Sequence, residues 1–125
     1  MWMLDDAYLG VMNKTLDGLW KRQEVIQDNL ANFETPNYKR KTVSFEESLQ
    51  NAVLNTKETD QTYDKIRNSP ILYGQDNETV RLDGNSVDLE QEQLSMIKTT
   101  YQYMYTQRLV SDYFSRLNTA INEGK

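Results

Sequence analysis

A chain of 125 residues with a formal net charge of −5 fits one domain, and its acidic balance argues against a dedicated nucleic-acid binder, which normally carries a basic field. It contains neither cysteine nor histidine, so disulfides, thiolate metal sites and the commonest general base near neutral pH are excluded. We therefore expect no catalytic residue, no metal site, no cofactor, no nucleic-acid partner and no small-molecule substrate.

The first residues of the chain do not resemble a secretion signal. Asp5 and Asp6 stand where a signal peptide needs an uninterrupted apolar run. No segment approaches the roughly 20 apolar residues of a membrane span. If the protein leaves the cytoplasm, we expect it to do so without a cleaved signal peptide.

A long N-terminal helix is predicted over residues 2–33, within a first segment that we place at residues 1–34. Its apolar residues recur in steps of three and four, with Gln23 in the one polar slot, which is the pattern of a heptad seam. The seam consists of Leu9, Met12, Leu16, Leu19, Ile26, Leu30 and Phe33. We expect this stripe to make helix–helix or assembly contacts.

The helix is predicted to stop in the stretch "NLANFETPNYKRK", residues 29–41. Asn29 and Asn32 fall in its last turn, where short amide side chains tolerate helix-terminating geometry. Pro36 cannot continue a helix and biases the residue before it towards extended geometry. The basic residues 39–41 are most often a solvated run, and a contact with an acidic partner surface is the alternative.

A type II turn is predicted directly after this helix. Its four positions are Thr35, Pro36, Asn37 and Tyr38. Proline suits the second position, and asparagine tolerates the positive φ that the third position requires. The turn would redirect the chain away from the helix axis.

The middle of the chain, residues 35–86, is predicted to contain this turn, a short helix and a variable polar connector. Ser44 and Glu47 fit a capping box at the start of the short helix. The apolar face of that helix would consist of Phe45, Leu49, Ala52 and Val53. From residue 51 onwards the connector is rich in Asn, Asp, Thr and Gln and has few apolar residues.

A second long helix is predicted over residues 89–121, within a last segment at residues 87–125. Asp88 is expected to cap it, with Gln91 reaching back from the third helical position as in a capping box. At about 100° per residue, one apolar stripe holds Leu94, Ile97, Tyr101, Met104 and Tyr105. A second stripe, rotated by roughly a third of a turn, holds Leu109, Val110, Tyr113, Leu117 and Ala120.

The predicted fold is all-α: two long helices form an antiparallel coiled-coil-like pair, with the short helix and an irregular polar middle segment at one end. Each long helix would span about 45–50 Å. One partner helix cannot cover both stripes of the second helix, so we expect the rest to be buried between copies or against partner proteins. The alternative is that these side chains are singly exposed, which is common for apolar residues.

Two motifs of this chain resemble those of a known family. "NLANFETPNYKR" is similar to the N-terminal signature of flagellar axial proteins (rod, hook and hook-associated), usually Asn-Ile/Leu-Ala-Asn-x-x-Thr-Pro-Gly-Tyr, with Asn37 in place of the glycine. The matching residues are Asn29, Leu30, Ala31, Asn32, Thr35, Pro36, Asn37 and Tyr38. "DGNSVDLEQ" resembles the C-terminal pattern of the same proteins, Gly-Asn-x-Val-Asp-Leu-Glu. With "RQEVIQDNLAN" and "KTVSFEESL", the motifs are most similar to those of flagellar basal-body rod proteins.

The resemblance implies a structural, non-enzymatic role. Such proteins are expected to self-assemble through their N- and C-terminal helices, and the short middle favours a proximal rod protein over the longer distal-rod and hook proteins. The rod would connect the membrane ring to the distal rod and transmit torque. The implied partners are other copies, other rod proteins, a FliE-like adaptor, the membrane-ring protein and the flagellar type III export apparatus. The implied location is the flagellar basal body, reached by export across the inner membrane.

Two other interpretations stay open at this point. A non-flagellar coiled-coil adaptor or secretion-system structural protein would share the heptads, but it needs no Thr-Pro-Asn-Tyr turn. A carboxylate enzyme could use Asp88 and Glu92, which lie one helical turn apart. That pair is more typical of a charged helix start, which the helix dipole favours.

Overall fold

The computed structural model of the chain describes residues 2–55, 62–78 and 81–124, with the backbone alone for residues 2–6. The elements in chain order are α1 (Trp2–Ala31), β1 (Lys41–Ser44), α2 (Glu46–Leu54), α3 (Thr62–Arg67), β2 (Leu72–Gln75) and α4 (Leu89–Glu123). The fold is mainly helical, which confirms the predicted predominance of helix, but the two strands correct the prediction of an all-α fold. Among the described helices, none combines the length and the hydropathy needed to cross a membrane.

The two long helices, α1 and α4, lie side by side. Four side-chain contacts mark their interface: Tyr8 with Tyr113, Trp20 with Tyr103, Gln23 with Thr100 and Asn29 with Glu92. Residue numbers rise along α1 while those of the partners fall along α4, so the helices run in opposite directions. The ring centroids of the first pair are 5.4 Å apart and those of the second 6.1 Å.

The apolar core lies where α1 meets β1, α2 and α3. Its buried members are Leu19, Val25, Val43, Phe45, Leu49 and Ile66. Gly18 permits this packing, because a Cβ added at that position would overlap the ring of Phe45. The helix backbone and the ring therefore approach more closely than any residue other than glycine allows.

Arg22 joins α1 to both β1 and α2. Its guanidinium donates to the carbonyl oxygen of Val43 at 2.9 Å and pairs with the carboxylate of Glu46 at 2.6 Å. Burial is the largest influence on Glu46 and by itself raises its pKa. Hydrogen bonds from Arg22 and from the backbone N–H groups of Glu46 and Phe45, together with the charge of Arg22, outweigh burial, so this pKa lies below its usual value. The ion pair thus fixes the start of α2 against the long helix.

The side of α4 that faces α1 is more polar than predicted. Glu92, Thr99 and Thr106 are buried there, seven residues apart. The hydroxyl of Thr106 donates to the carbonyl oxygen of Gln102 at 2.8 Å, so the helix itself satisfies this buried group. Threonine is compact, and its methyl group packs while its hydroxyl stays bonded, which lets two long helices lie close together.

The first predicted apolar stripe of α4 lies on the outside instead. Leu94, Ile97, Tyr101 and Met104 are 54–68% exposed, and we call these four residues the α4 ridge. A different face of α4 meets α1, and the ridge stays mostly exposed in the described chain. Its predicted role in assembly stays a prediction.

The other predicted contact residues of α1 and α4 differ in how deeply they are buried. Leu19 and Ile26 of α1 are buried, whereas Leu9, Met12 and Leu16 are half-buried. On α4, Val110 and Tyr113 are half-buried and Leu117 is 42% exposed.

The middle of the chain is more ordered than predicted. β1 and β2 form an antiparallel pair in the register Lys41↔Gln75 to Ser44↔Leu72, and α3 packs against α1. The expectation of an irregular middle is therefore wrong for residues 62–67 and 72–75, while residues 56–61 and 79–80 lie outside the described part. Few apolar residues suffice here, because Ile66 and Val87 are almost completely buried.

The predicted capping box of the short helix is wrong. Ser44 belongs to strand β1, and the N-cap of α2 is Phe45, which makes no side-chain capping hydrogen bond. Pairing with Leu72 holds Ser44 in the strand, and burial of the Phe45 ring decides where the helix begins.

Candidate functional site: the junction of the two motifs

The two sequence motifs meet at one end of the α1–α4 pair. We call this contact the motif junction: it comprises residues 29–41, from the last turns of α1 into β1, and residues 83–92, the loop and first turn of α4. Every contact described below joins groups within this junction or next to it.

Asn29 is the centre of the junction and is fully buried. Its Oδ1 accepts hydrogen bonds from the backbone N–H of Lys41 at 2.9 Å and from the hydroxyl of Tyr38 at 3.2 Å. Its Nδ2 donates to the carbonyl oxygen of Lys41 at 2.8 Å and to Oε2 of Glu92 at 3.2 Å. The predicted role in ending the helix is therefore replaced by a tertiary role, since one amide joins α1, β1 and α4.

Glu92 is the buried charge of the junction. Its carboxylate accepts from Asn29 and pairs with the guanidinium of Arg40, while its own side chain is fully buried. Lys39 Nζ donates to the carbonyl oxygen of Gly84 at 2.6 Å. Arg40 and Lys39 thus bind inside the molecule, so the prediction of a merely solvated basic run is wrong for these two residues.

Asn85, which belongs to the other motif, binds the turn that follows α1. Its Nδ2 donates to the carbonyl oxygens of Asn32, Phe33 and Thr35 at 2.8–3.1 Å. Its Oδ1 accepts from the backbone N–H of Val87 at 2.7 Å. These three carbonyls belong to the turn that follows α1, so the amide of Asn85 ties that turn to the loop before α4.

The turn after α1 has the geometry expected from its sequence. Asn37 has a φ of 61°, and the N–H of Tyr38 donates to the carbonyl oxygen of Thr35 at 3.3 Å, which closes a four-residue turn. Gly84 lies opposite with a φ of 82°, and a Cβ added there would overlap the side chain of Asn37. The two positive-φ residues come from different motifs and pack against each other.

Substitution at Asn37 tests this turn. Asn37→Gly is expected to leave the free energy of unfolding nearly unchanged, because glycine adopts positive φ freely. Asn37→Val is expected to lower it by about 1–3 kcal/mol, because a β-branched residue is strained at this φ. Urea denaturation followed by circular dichroism measures both. Equal stability of the two variants would contradict the turn.

The remaining motif residues sit at the rim of the junction. Asn32 Nδ2 donates to the carbonyl oxygen of Asp28 at 2.8 Å, and its Oδ1 accepts from the Thr35 hydroxyl at 3.1 Å. Leu30 is half-buried, whereas Ala31 and Pro36 are exposed. The side chains of these residues shape the helix end without entering the buried network, although the carbonyl oxygen of Asn32 accepts from Asn85.

The start of α4 is capped by Asp88. Its carboxylate accepts from the backbone N–H groups of Glu90 at 3.1 Å and Gln91 at 3.3 Å. Gln91 takes part in this cap through its backbone N–H, and the predicted role of its side chain stays a prediction. The carboxylate of Asp88 therefore caps its own helix, whereas the carboxylate of Glu92 binds Asn29 and Arg40.

Burial raises the pKa of Tyr38 above its usual value, and the neighbouring Asp28 carboxylate adds to the rise. The hydroxyl stays protonated at neutral pH and can donate to Asn29. Asn29, Tyr38, Lys41 and Glu92 thus form a connected network of hydrogen bonds in the junction. Within residues 2–55, 62–78 and 81–124, no group of three or more acidic side chains is arranged to hold a metal ion.

Sequence reasoning missed two residues in or beside the junction. The guanidinium of Arg81 lies 4.3 Å from the ring centroid of Phe33 and donates to the carbonyl oxygen of the same residue. The hydroxyl of Ser86 accepts from the backbone N–H of Arg40 at 2.6 Å. Neither residue carries a local signal, because both roles depend on a partner about 50 positions away.

Relatives of this chain support the motif resemblance. It is 31% identical to the flagellar basal body rod protein FlgB of Borreliella burgdorferi over 125 residues, covering 87% of this chain and 91% of that protein. Identity to FlgB of Borrelia hermsii is 32%, with the same coverage, and to FlgB of Bacillus subtilis it is 31%, with 83% and 84% covered. No family model matches the chain. The chain belongs to the FlgB family of flagellar basal body rod proteins.

Proposed function

We propose that the protein is a structural subunit of the proximal rod that self-assembles through α1 and α4, connects the membrane ring to the distal rod and transmits torque. One observation carries the proposal: both family motifs lie in the motif junction, which joins the N- and C-terminal helices, while the α4 ridge stays uncovered by the described chain. Fixing the two helices to each other suits a load-bearing subunit more than a catalyst.

The exposed ridge supports assembly. Four large side chains on one face of a helix exceed the scattered exposure that is normal for a soluble monomer. A helical assembly uses different patches on each subunit, so it needs apolar surface on more than one side. In this proposal α1 and α4 act as one coiled-coil-like unit, residues 1–34 and 87–125, and residues 35–86 brace it from the side.

The partners follow from the proposed place in the rod. They are copies of the chain, other rod proteins, a FliE-like adaptor, the membrane-ring protein and the type III export apparatus. Seven relatives share the name of a basal body rod protein, and the location proposed for this chain is accordingly the flagellar basal body after export across the inner membrane.

Deletion of the gene tests the proposed function. The strain is expected not to swim, and electron microscopy of its basal bodies should show the membrane ring without a rod. A plasmid copy of the parent should restore both. A complete rod in the deletion strain would contradict the proposal, and a purified basal body that contains the tagged protein in the rod would support it.

A further inference from the structure

An apolar groove runs between α1, α2 and α4. It has a volume of about 440 Å³. Its walls include Val11 and Leu19 of α1, Leu49, Val53 and Leu54 of α2, and Tyr105 of α4. We call this feature the α2 groove. Leu54 is 72% exposed at its rim, so the described residues leave the groove open.

We propose that the α2 groove of one copy receives the α4 ridge of a second copy, and this inference rests on the proposed function. The ridge cannot enter the groove of its own chain, because Tyr105 in the groove wall directly follows Met104 of the ridge on the same rigid helix. A contact between two different surfaces does not close on itself, and it extends into a filament when repeated.

Length and shape agree with this pairing. The ridge rises about 15 Å from Leu94 to Met104, and α2 with its nine residues runs about 13 Å along the groove. The ridge presents side chains at steps of three and four, which is the spacing that fits between neighbouring helices. Residues 56–61, which follow α2, are all polar in sequence and offer no apolar side chain for the groove.

Charge supports the same occupant. Residues 94–104, the span of the ridge, carry Lys98 and no acidic residue. Residues 45–55, which contain α2, carry Glu46 and Glu47 and no basic residue. Arg22 already pairs with Glu46, whereas Glu47 is exposed at the start of α2. A positive ridge entering beside a negative helix is attracted, while groove-to-groove or ridge-to-ridge contacts would bring like charges together.

The absence of cysteine allows a direct test by cross-linking. Two copies with different tags are produced in the deletion strain, one with Leu54→Cys and the other with Tyr101→Cys. Oxidation or a short bis-maleimide should give a covalent dimer with both tags. The matched control replaces Tyr101→Cys by Leu82→Cys, an exposed leucine outside ridge and groove, and should give at least ten-fold less mixed dimer.

The outcomes separate the two proposals. If the cells swim but the mixed product is no more abundant than in the control, the groove–ridge contact is wrong and the rod function stands. A dimer formed mainly by Leu54→Cys with itself would also overturn the inference. If either variant fails to restore swimming, the pair Val53→Cys and Ile97→Cys takes its place under the same criteria. A complete rod in the deletion strain would instead contradict the proposed function itself.

Discussion

Replacing Asn29 with aspartate is expected to lower the free energy of unfolding by about 3–5 kcal/mol. The change keeps the shape of the side chain but turns the donor Nδ2 into an acceptor. That atom faces the carbonyl oxygen of Lys41 and the carboxylate of Glu92, so a hydrogen bond becomes a repulsion at each contact. Two carboxylates in one buried site also disfavour each other's charge. Urea denaturation monitored by helical circular dichroism measures the loss.

Gln27→Glu is the matched control for this substitution. It makes the same chemical change two residues earlier on α1, at an exposed position. Its cost should stay below about 1 kcal/mol, the size of a charge effect near a helix end. The difference in free energy of unfolding between the parent and Asn29→Asp should become smaller towards about pH 4, because the protonated carboxyl of the introduced aspartate can again donate a hydrogen bond. A loss no larger than that of Gln27→Glu would contradict the buried network.

The second large effect is expected at Gly18. Gly18→Ala should lower the free energy of unfolding by about 1–3 kcal/mol, which is typical of overpacking a core. The new methyl group would overlap the ring of Phe45, and that ring is almost completely buried in the core. Helix propensity alone predicts the opposite sign, a gain of up to about 1 kcal/mol. The sign of the measured change therefore decides which effect dominates.

Gly10→Ala provides the comparison on the same helix. A Cβ at Gly10 would lie 3.2 Å from Cδ2 of Tyr63, and the ring of Tyr63 is exposed enough to shift. The gain in helix propensity should therefore prevail, so Gly10→Ala is expected to be neutral or stabilising by up to about 1 kcal/mol. If both variants are stabilised equally, the close approach of α1 to Phe45 is not a constraint in solution.

Local chemistry explains what could be predicted from the sequence. The turn at Asn37 and the cap at Asp88 depend on neighbours within three residues, and the structure has the geometry that their residue types predict. The two long helices can be predicted from the sequence because their apolar periodicity extends over many turns. The mainly helical class follows from these two segments alone.

Tertiary packing explains what could not be predicted. Periodicity places Leu94 and Ile97 on one face of α4 but does not say whether α1 covers that face. The covering is decided by compact Thr99 and Thr106 and by the Asn29–Glu92 bond, which spans 63 positions. Similarly, β2 carries only exposed side chains, so no alternation of buried and exposed residues marked it as a strand.

The hydrogen bonds from Asn85 to the turn after α1 contribute to the lengthwise register of the two long helices. Sliding α4 by one turn relative to α1, about 5.4 Å, would break all of these bonds together with the contacts of Glu92. Intermediate positions would break them too without forming replacements. A force that slides one helix along the other therefore has to break these bonds together with the contacts farther along the pair, between Trp20 and Tyr103 and between Tyr8 and Tyr113.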